Sequence, residues 1–246
     1  IGYWLALEAH EKKRLLDECW RLASEALNAF EGAGEGSEYG KTFNQFSKSA
    51  DLSFCLEWNA HVRDRVIREA VKCGEQAIKF LSSLQNDNEL AKAYVKTADY
   101  AYAFGYIFLG REEQEKQFEK ARVYWQKAKG LSEEVAFLEL FSVLGVLGLD
   151  WAAGSDEALK NFEKALEYAR RTRDKLTIGC ALEWLAVHTI WGYGEDPEET
   201  FRVFRKSLQY AEDAKRLYST ISFVSPLGDV LWVEAPYAEY YWAVAT

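Results

Sequence analysis

Apolar residues recur three and four positions apart along nearly the whole chain, and the alternation that marks half-buried strands is absent. The pattern predicts an amphipathic helix from Tyr3 to about Phe30, ended by the glycine-rich stretch from Glu31 to Gly36. A loop, or a partly helical segment, is expected from there to about Lys48. Asp51 to Leu84 lacks Pro and has only Gly74, which predicts one long helix or two joined by a bend near His61 to Arg63. Later helices are predicted at about 89–109, 112–129, 133–150, 156–172, 175–192, 197–213, 216–232 and 237–246. Their boundaries carry explicit chemistry: Gly110, Gly130-Leu131-Ser132, Gly154-Ser155, and Asp196-Pro197-Glu198-Glu199 as a capped helix start. The expected class is all-α, with short connections between successive helices.

Three segments share a further pattern: Phe118-Glu-Lys120-Ala121-Arg-Val-Tyr124, Phe162-Glu-Lys164-Ala165-Leu-Glu-Tyr168 and Phe204-Arg-Lys206-Ser207-Leu-Gln-Tyr210. The Phe positions stand 44 and 42 residues apart (162 − 118 and 204 − 162). Positions 1, 4 and 7 share one helical face. Phe fills space between helices, Ala or Ser permits close approach, Tyr closes the seam, and the intervening Lys and Glu are expected in water. A period of this size signals stacked helix pairs that cannot bury their apolar faces singly.

At these residues the sequence resembles the tetratricopeptide repeat family. Ala158, Phe162 and Ala165 fit its second-helix pattern of small, large aromatic and small residues; Thr200, Phe204 and Ser207 fit with one change, and Gln114, Phe118 and Ala121 more loosely. The longer period is similar to the variant in kinesin light chains and in bacterial and archaeal regulators, as is the turn sequence from Arg170 to Asp174. The family's Trp-x-x-Leu-Gly pattern is not cleanly present. The resemblance implies a right-handed α-solenoid over 89–246, preceded by an N-terminal helical segment, 1–88, of degenerate repeats or a cap. It also implies that first helices line a concave groove, where Tyr102, Tyr106, Glu139, Glu183 and Trp184 are the candidate partner contacts.

Composition narrows the function classes. The 246 residues include 39 acidic and 30 basic side chains, a net charge of -9 that disfavours nucleic acid as the main partner. The longest strongly apolar run, Leu140 to Leu149, is about half of the ~20 residues a membrane span needs. Cys19, Cys55, Cys73 and Cys180 are far apart without a CxxC pair, which reads as free thiols in a reducing cytoplasm. The sequence has no Met, and its last segment is apolar at Tyr240-Tyr241-Trp242. We therefore expect a piece of a longer protein, or a C-terminal helix that self-associates.

No catalytic, cofactor or metal motif is recognisable. Glu57 and His61 stand four apart, a spacing common on any charged helix face. His188 lies on an apolar stretch and reads as an interior His, and His10 reads as surface. Lys12-Lys13-Arg14 and Arg170-Arg171-Thr172-Arg173 read as solvated helix faces or turns. The expectation is a non-catalytic module that binds a protein or peptide, with Glu139 and Glu183 selecting basic ligands. Alternatives are a sensor or assembly arm of a larger regulator such as a signalling ATPase, a small-molecule sensor stacking sugars or heterocycles on its Trp and Tyr rings, or an all-α enzyme.

Overall fold

The computed structural model describes residues 9–56, 59–139, 156–190, 196–224 and 230–232. They divide into two compact units, one within Glu8–Leu149 and one within Asp150–Thr246. The boundary expected near residue 88 falls inside the first unit, because the helices on either side of it pack together.

The first unit begins with α1, Ala9–Ala33. Leu16, Ala23 and Leu27 form its buried stripe, while Lys13 pairs with Asp17 and Arg21 with Glu18 and Glu25 on the exposed face. Gly34, at φ 74°, takes the left-handed conformation that ends the helix and admits a residue without Cβ most readily.

The backbone then re-enters helix at once. In place of the expected loop or partly helical segment, α2 spans Gly36–Leu56. The glycines here are packing residues: a Cβ at Gly36 would stand 2.8 Å from Cδ1 of Phe80, and one at Gly40 would stand 2.5 Å from Cγ of Leu81. Tyr39 and Phe43, four apart, are buried on the same face. A second correction concerns the next break. Helix α3, Ala60–Leu81, starts where the Asn59 side chain accepts from the His61 and Val62 amides at 3.0 and 3.3 Å. The break thus precedes Ala60, and His61 to Arg63 are helical.

Helices α4, Asp87–Phe108, α5, Arg111–Leu131, and α6, Glu133–Glu139, complete the described part of this unit. Asn86 caps α4 by accepting from the Glu89 amide. Small side chains (Ala91, Ala93, Ala98, Ala101) let neighbours close on α4 from several sides. Each helix packs on the next in sequence, and α4 also touches α2 and α6. Along α4 and α5, Gly105 meets Gln117, Tyr102 meets Phe118, and Tyr94 meets Tyr124. Along α2 and α4, Asn44 Nδ2 donates to the Glu89 carbonyl at 2.8 Å, Lys96 Nζ donates to the Asn44 carbonyl at 2.6 Å, and Phe43 and Tyr100 pack edge to face at 6.3 Å.

In the second unit α7 is Asp156–Thr172, α8 is Lys175–Ile190 and α9 is Pro197–Tyr218. Asp174 starts α8 by accepting from the Thr177 amide at 2.8 Å, and Asp196 starts α9 by accepting from the Glu198 amide at 3.0 Å. The helix expected at 216–232 is absent. After α9, strand β1, Ser222–Val224, pairs antiparallel with β2, Val230–Trp232, with Phe223 opposite Leu231. Two short runs rich in β-branched and aromatic residues flank Ser225-Pro226-Leu227-Gly228-Asp229, and the Pro lacks the amide a helix interior needs. The described residues are otherwise mostly helical. The segment expected as a helix at 237–246 lies outside the described residues.

Candidate functional site

Helices α3, α4 and α5 border an open cleft of about 240 Å³ lined by Arg68, Val71, Lys72, Glu75, Phe104 and Gln117. The α3 residues fall at i, i+3, i+4 and i+7, which sets them on one face. Phe104 comes from the last turns of α4. Gly105 beside it brings α5 close, since a Cβ there would stand 2.8 Å from Cβ of Gln117. Gln114 Nε2 donates to the Gly105 carbonyl at 3.5 Å, fixing the same approach.

The polar groups of the cleft are unevenly matched. Arg68 Nε donates to both oxygens of Asp64 at 2.9 Å, and its Cζ lies 4.5 Å from the centre of the Phe104 ring. This holds the guanidinium over the ring, and its Nη groups have no hydrogen-bond partner among the described residues. Glu75 is paired across helices with Lys120 of α5. Lys72 makes no ion pair among the described residues. The Gln117 Oε1 atom is buried without a hydrogen-bond partner among them. The cleft therefore offers two cationic groups and an aromatic wall.

The Lys120–Glu75 pair has a counterpart in the second unit, where Lys206 Nζ donates to Glu163 at 3.0 Å. Both lysines are the third residue of the repeated motif, and their acidic partners precede them by 45 and 43 residues. These motif lysines were expected only to face water. In fact they also tie one helix to another. Glu163 holds Lys206 above the ordinary lysine value by hydrogen bonding to its charged form. Each lysine also lies over the motif Tyr one turn on, Lys120 at 5.9 Å from Tyr124 and Lys206 at 5.7 Å from Tyr210. Burial, with Glu75 and Tyr94 nearby, raises the Tyr124 hydroxyl.

The residues expected to line a groove fall on α4, α6 and α8. Tyr102 stacks on Phe118 at 4.6 Å and packs, with Tyr124, against Ala98, Ala101 and Ala121, so its ring is engaged between α4 and α5. Glu183, on α8, is only 2% exposed and accepts from the Tyr218 hydroxyl at 2.9 Å. That burial removes it from a surface that could select basic ligands. Trp184 is half-buried. Tyr106 lies in α4 and Glu139 ends α6, but their side chains are outside the described residues. Tyr102, Tyr106 and Glu139 belong to the first unit, Glu183 and Trp184 to the second.

Among the motif residues, Phe162, Ala165 and Ser207 are buried, and Tyr168, Phe204 and Tyr210 are half-buried or nearly so. Ser207 Oγ donates to the Ala186 carbonyl at 2.7 Å, so its small polar side chain both permits and fastens the approach of α9 to α8. The Ala158 side chain is outside the described residues. His10 and His61 are exposed, the side chain of His188 is outside the described residues, and Cys19, Cys73 and Cys180 are free thiols. Burial raises the Cys73 thiol, which disfavours the reactive thiolate. No group of three His, Cys, Asp or Glu among the described residues could hold a metal ion. Nor is any helix among them long and apolar enough to cross a membrane.

Sequence reasoning passed over the cleft because its residues come from three helices and form no motif. The usable signal was the Arg68, Val71, Lys72, Glu75 face on a helix whose other side is apolar. No family model matches this sequence, and no curated protein matches it.

Proposed function

We propose that this protein is a non-catalytic interaction module, built as a tetratricopeptide-like solenoid of antiparallel helix pairs, that binds a peptide or extended segment of a partner protein. The observation that carries the reading is the repeated tie between helices: motif lysines Lys120 and Lys206 each reach an acid about one repeat earlier, Glu75 and Glu163. Ties at one repeat spacing are what stacked, equivalent helix pairs would produce. The opposed contact order along α4 and α5 supports the same arrangement. Such stacking presents long, preorganised surfaces, which suit extended ligands at low ordering cost. The cleft of α3, α4 and α5 gives that surface a specific anchor point.

A random-peptide display library panned on the whole protein, followed by calorimetry of the selected sequences, tests this. The expected result is a peptide that binds one to one with micromolar affinity. Failure of every selected peptide to bind in solution would overturn the reading.

A further inference from the structure

We propose that the cleft between α3, α4 and α5 is a carboxylate subsite that seats one peptide residue through its acidic group and its apolar body. The inference rests on the reading of the protein as a peptide-binding module and names the chemistry of one anchor.

Three features converge on it. The first is charge. Glu75 is already matched by Lys120, whereas Lys72 has no ion pair among the described residues. Arg68 is steered by Asp64 through Nε alone, so both Nη groups stay available for the forked geometry that carboxylates accept. In a protein of net charge -9 this is a local cationic surplus. The second is the Phe104 ring beneath the guanidinium, which with half-buried Val71 supplies an apolar wall. The third is Gln117, whose side chain lines the cleft from α5 and adds a polar group to the charged and aromatic ones.

Size limits the occupant. At about 240 Å³ the cleft falls below the ~300 Å³ where sites for drug-sized molecules begin, so it accommodates one residue. The carboxylate can come from the C-terminus of a peptide or from an Asp or Glu side chain, and both present the same group to Arg68 and Lys72.

The test is an amide-resolved NMR titration of the whole protein with three probes. N-acetylphenylalanine carries a terminal carboxylate, N-acetylglutamyl amide carries a side-chain carboxylate, and N-acetylphenylalaninamide carries none. A carboxylated probe is expected to shift the Val71 backbone and Gln117 side-chain signals, binding about fivefold more tightly than the uncharged one. Whichever carboxylated probe binds better identifies the source. Lys72→Gln, at an exposed position, is expected to weaken that probe about fivefold and leave the uncharged one unchanged. Equal binding of charged and uncharged probes, absence of shifts at these residues, or indifference to both Lys72→Gln and Arg68→Gln would overturn the subsite. A library-selected peptide that binds the whole protein but ignores both substitutions would sink the subsite alone and leave the interaction module standing.

Discussion

Replacing Gly74 with Ala gives a test whose sign depends on the packing. Gly74 lies inside α3, where α2 and α4 converge on it. A Cβ there would overlap Thr97 Oγ1 and stand 3.0 Å from both Cβ of Thr97 and Cζ of Phe43. Thr97 cannot give way easily: it is fully buried, and its hydroxyl donates to the Ala93 carbonyl at 2.7 Å. Phe43 is also buried and packs edge to face on Tyr100. In an open helix interior, Gly→Ala stabilises by about 0.5–1 kcal/mol through backbone entropy and propensity. Overpacking a filled site costs about 1–3 kcal/mol. The balance at Gly74 is a destabilisation of roughly 1–2 kcal/mol, combining those two terms. Two compact units make whole-protein unfolding a poor readout, so the measurement is native-state amide exchange at Ala77 and Ala98 in the helices that meet there. Exchange is expected to accelerate about tenfold. Gly130→Ala, at a site with nothing within 4 Å, serves as the control and should leave or slow exchange. Thr97→Ala combined with Gly74→Ala should recover much of the loss by removing the obstructing hydroxyl. Slower exchange in Gly74→Ala alone would refute the account of how α2, α3 and α4 meet.

Tyr218→Phe removes the hydroxyl that donates to buried Glu183, and should destabilise the second unit by about 1–3 kcal/mol, read from exchange in α8 and α9. A double-mutant cycle with Lys206→Gln and Glu163→Gln should give a coupling below about 1 kcal/mol that shrinks in salt, because both side chains are half-exposed. Alkaline pH should weaken the fold. Burial raises Tyr39 and Tyr218 above the ordinary 10.0 and Cys73 above 9.0, so the folded state holds these protons more tightly than the unfolded state. Their contribution is complete below those ordinary values and is lost as pH rises beyond them. Phenolate absorbance during an alkaline titration should accordingly show a fraction of tyrosines that ionise only as circular dichroism falls.

Helix class and most boundaries were legible because apolar spacing and capping residues act locally: Asp196 and the 156–172 segment needed no tertiary information. The failures came where distant contacts override local preference. Gly36 read as part of a helix break, yet α3 packs against it, and against Gly40, so closely that a side chain would collide. The 216–232 segment has helical spacing, yet Pro226 lies within it and its flanking runs pair as strands. Motif spacing also marked Phe118, Ala121 and Tyr124, which pack where α5 meets α4, but not the partners of the motif lysines, since Glu75 sits in a helix where Gly74 stands one repeat before the motif's Phe118. The expectation that aromatic and acidic residues of the first helices face a partner rests on the resemblance, which carries no information on the burial of each side chain. Burial decided otherwise for Glu183, and ring stacking engaged Tyr102.

The central claim is that successive helix pairs jointly present a surface to an extended ligand. Hydrogen exchange of the whole protein with and without a library-selected peptide tests it most directly. Protection that extends over α3 and the facing parts of α4 and α5, including Arg68 to Glu75 and Gln117, is the predicted result. Binding that protects a single helix, or one that leaves the exchange pattern of every helix unchanged, would contradict it.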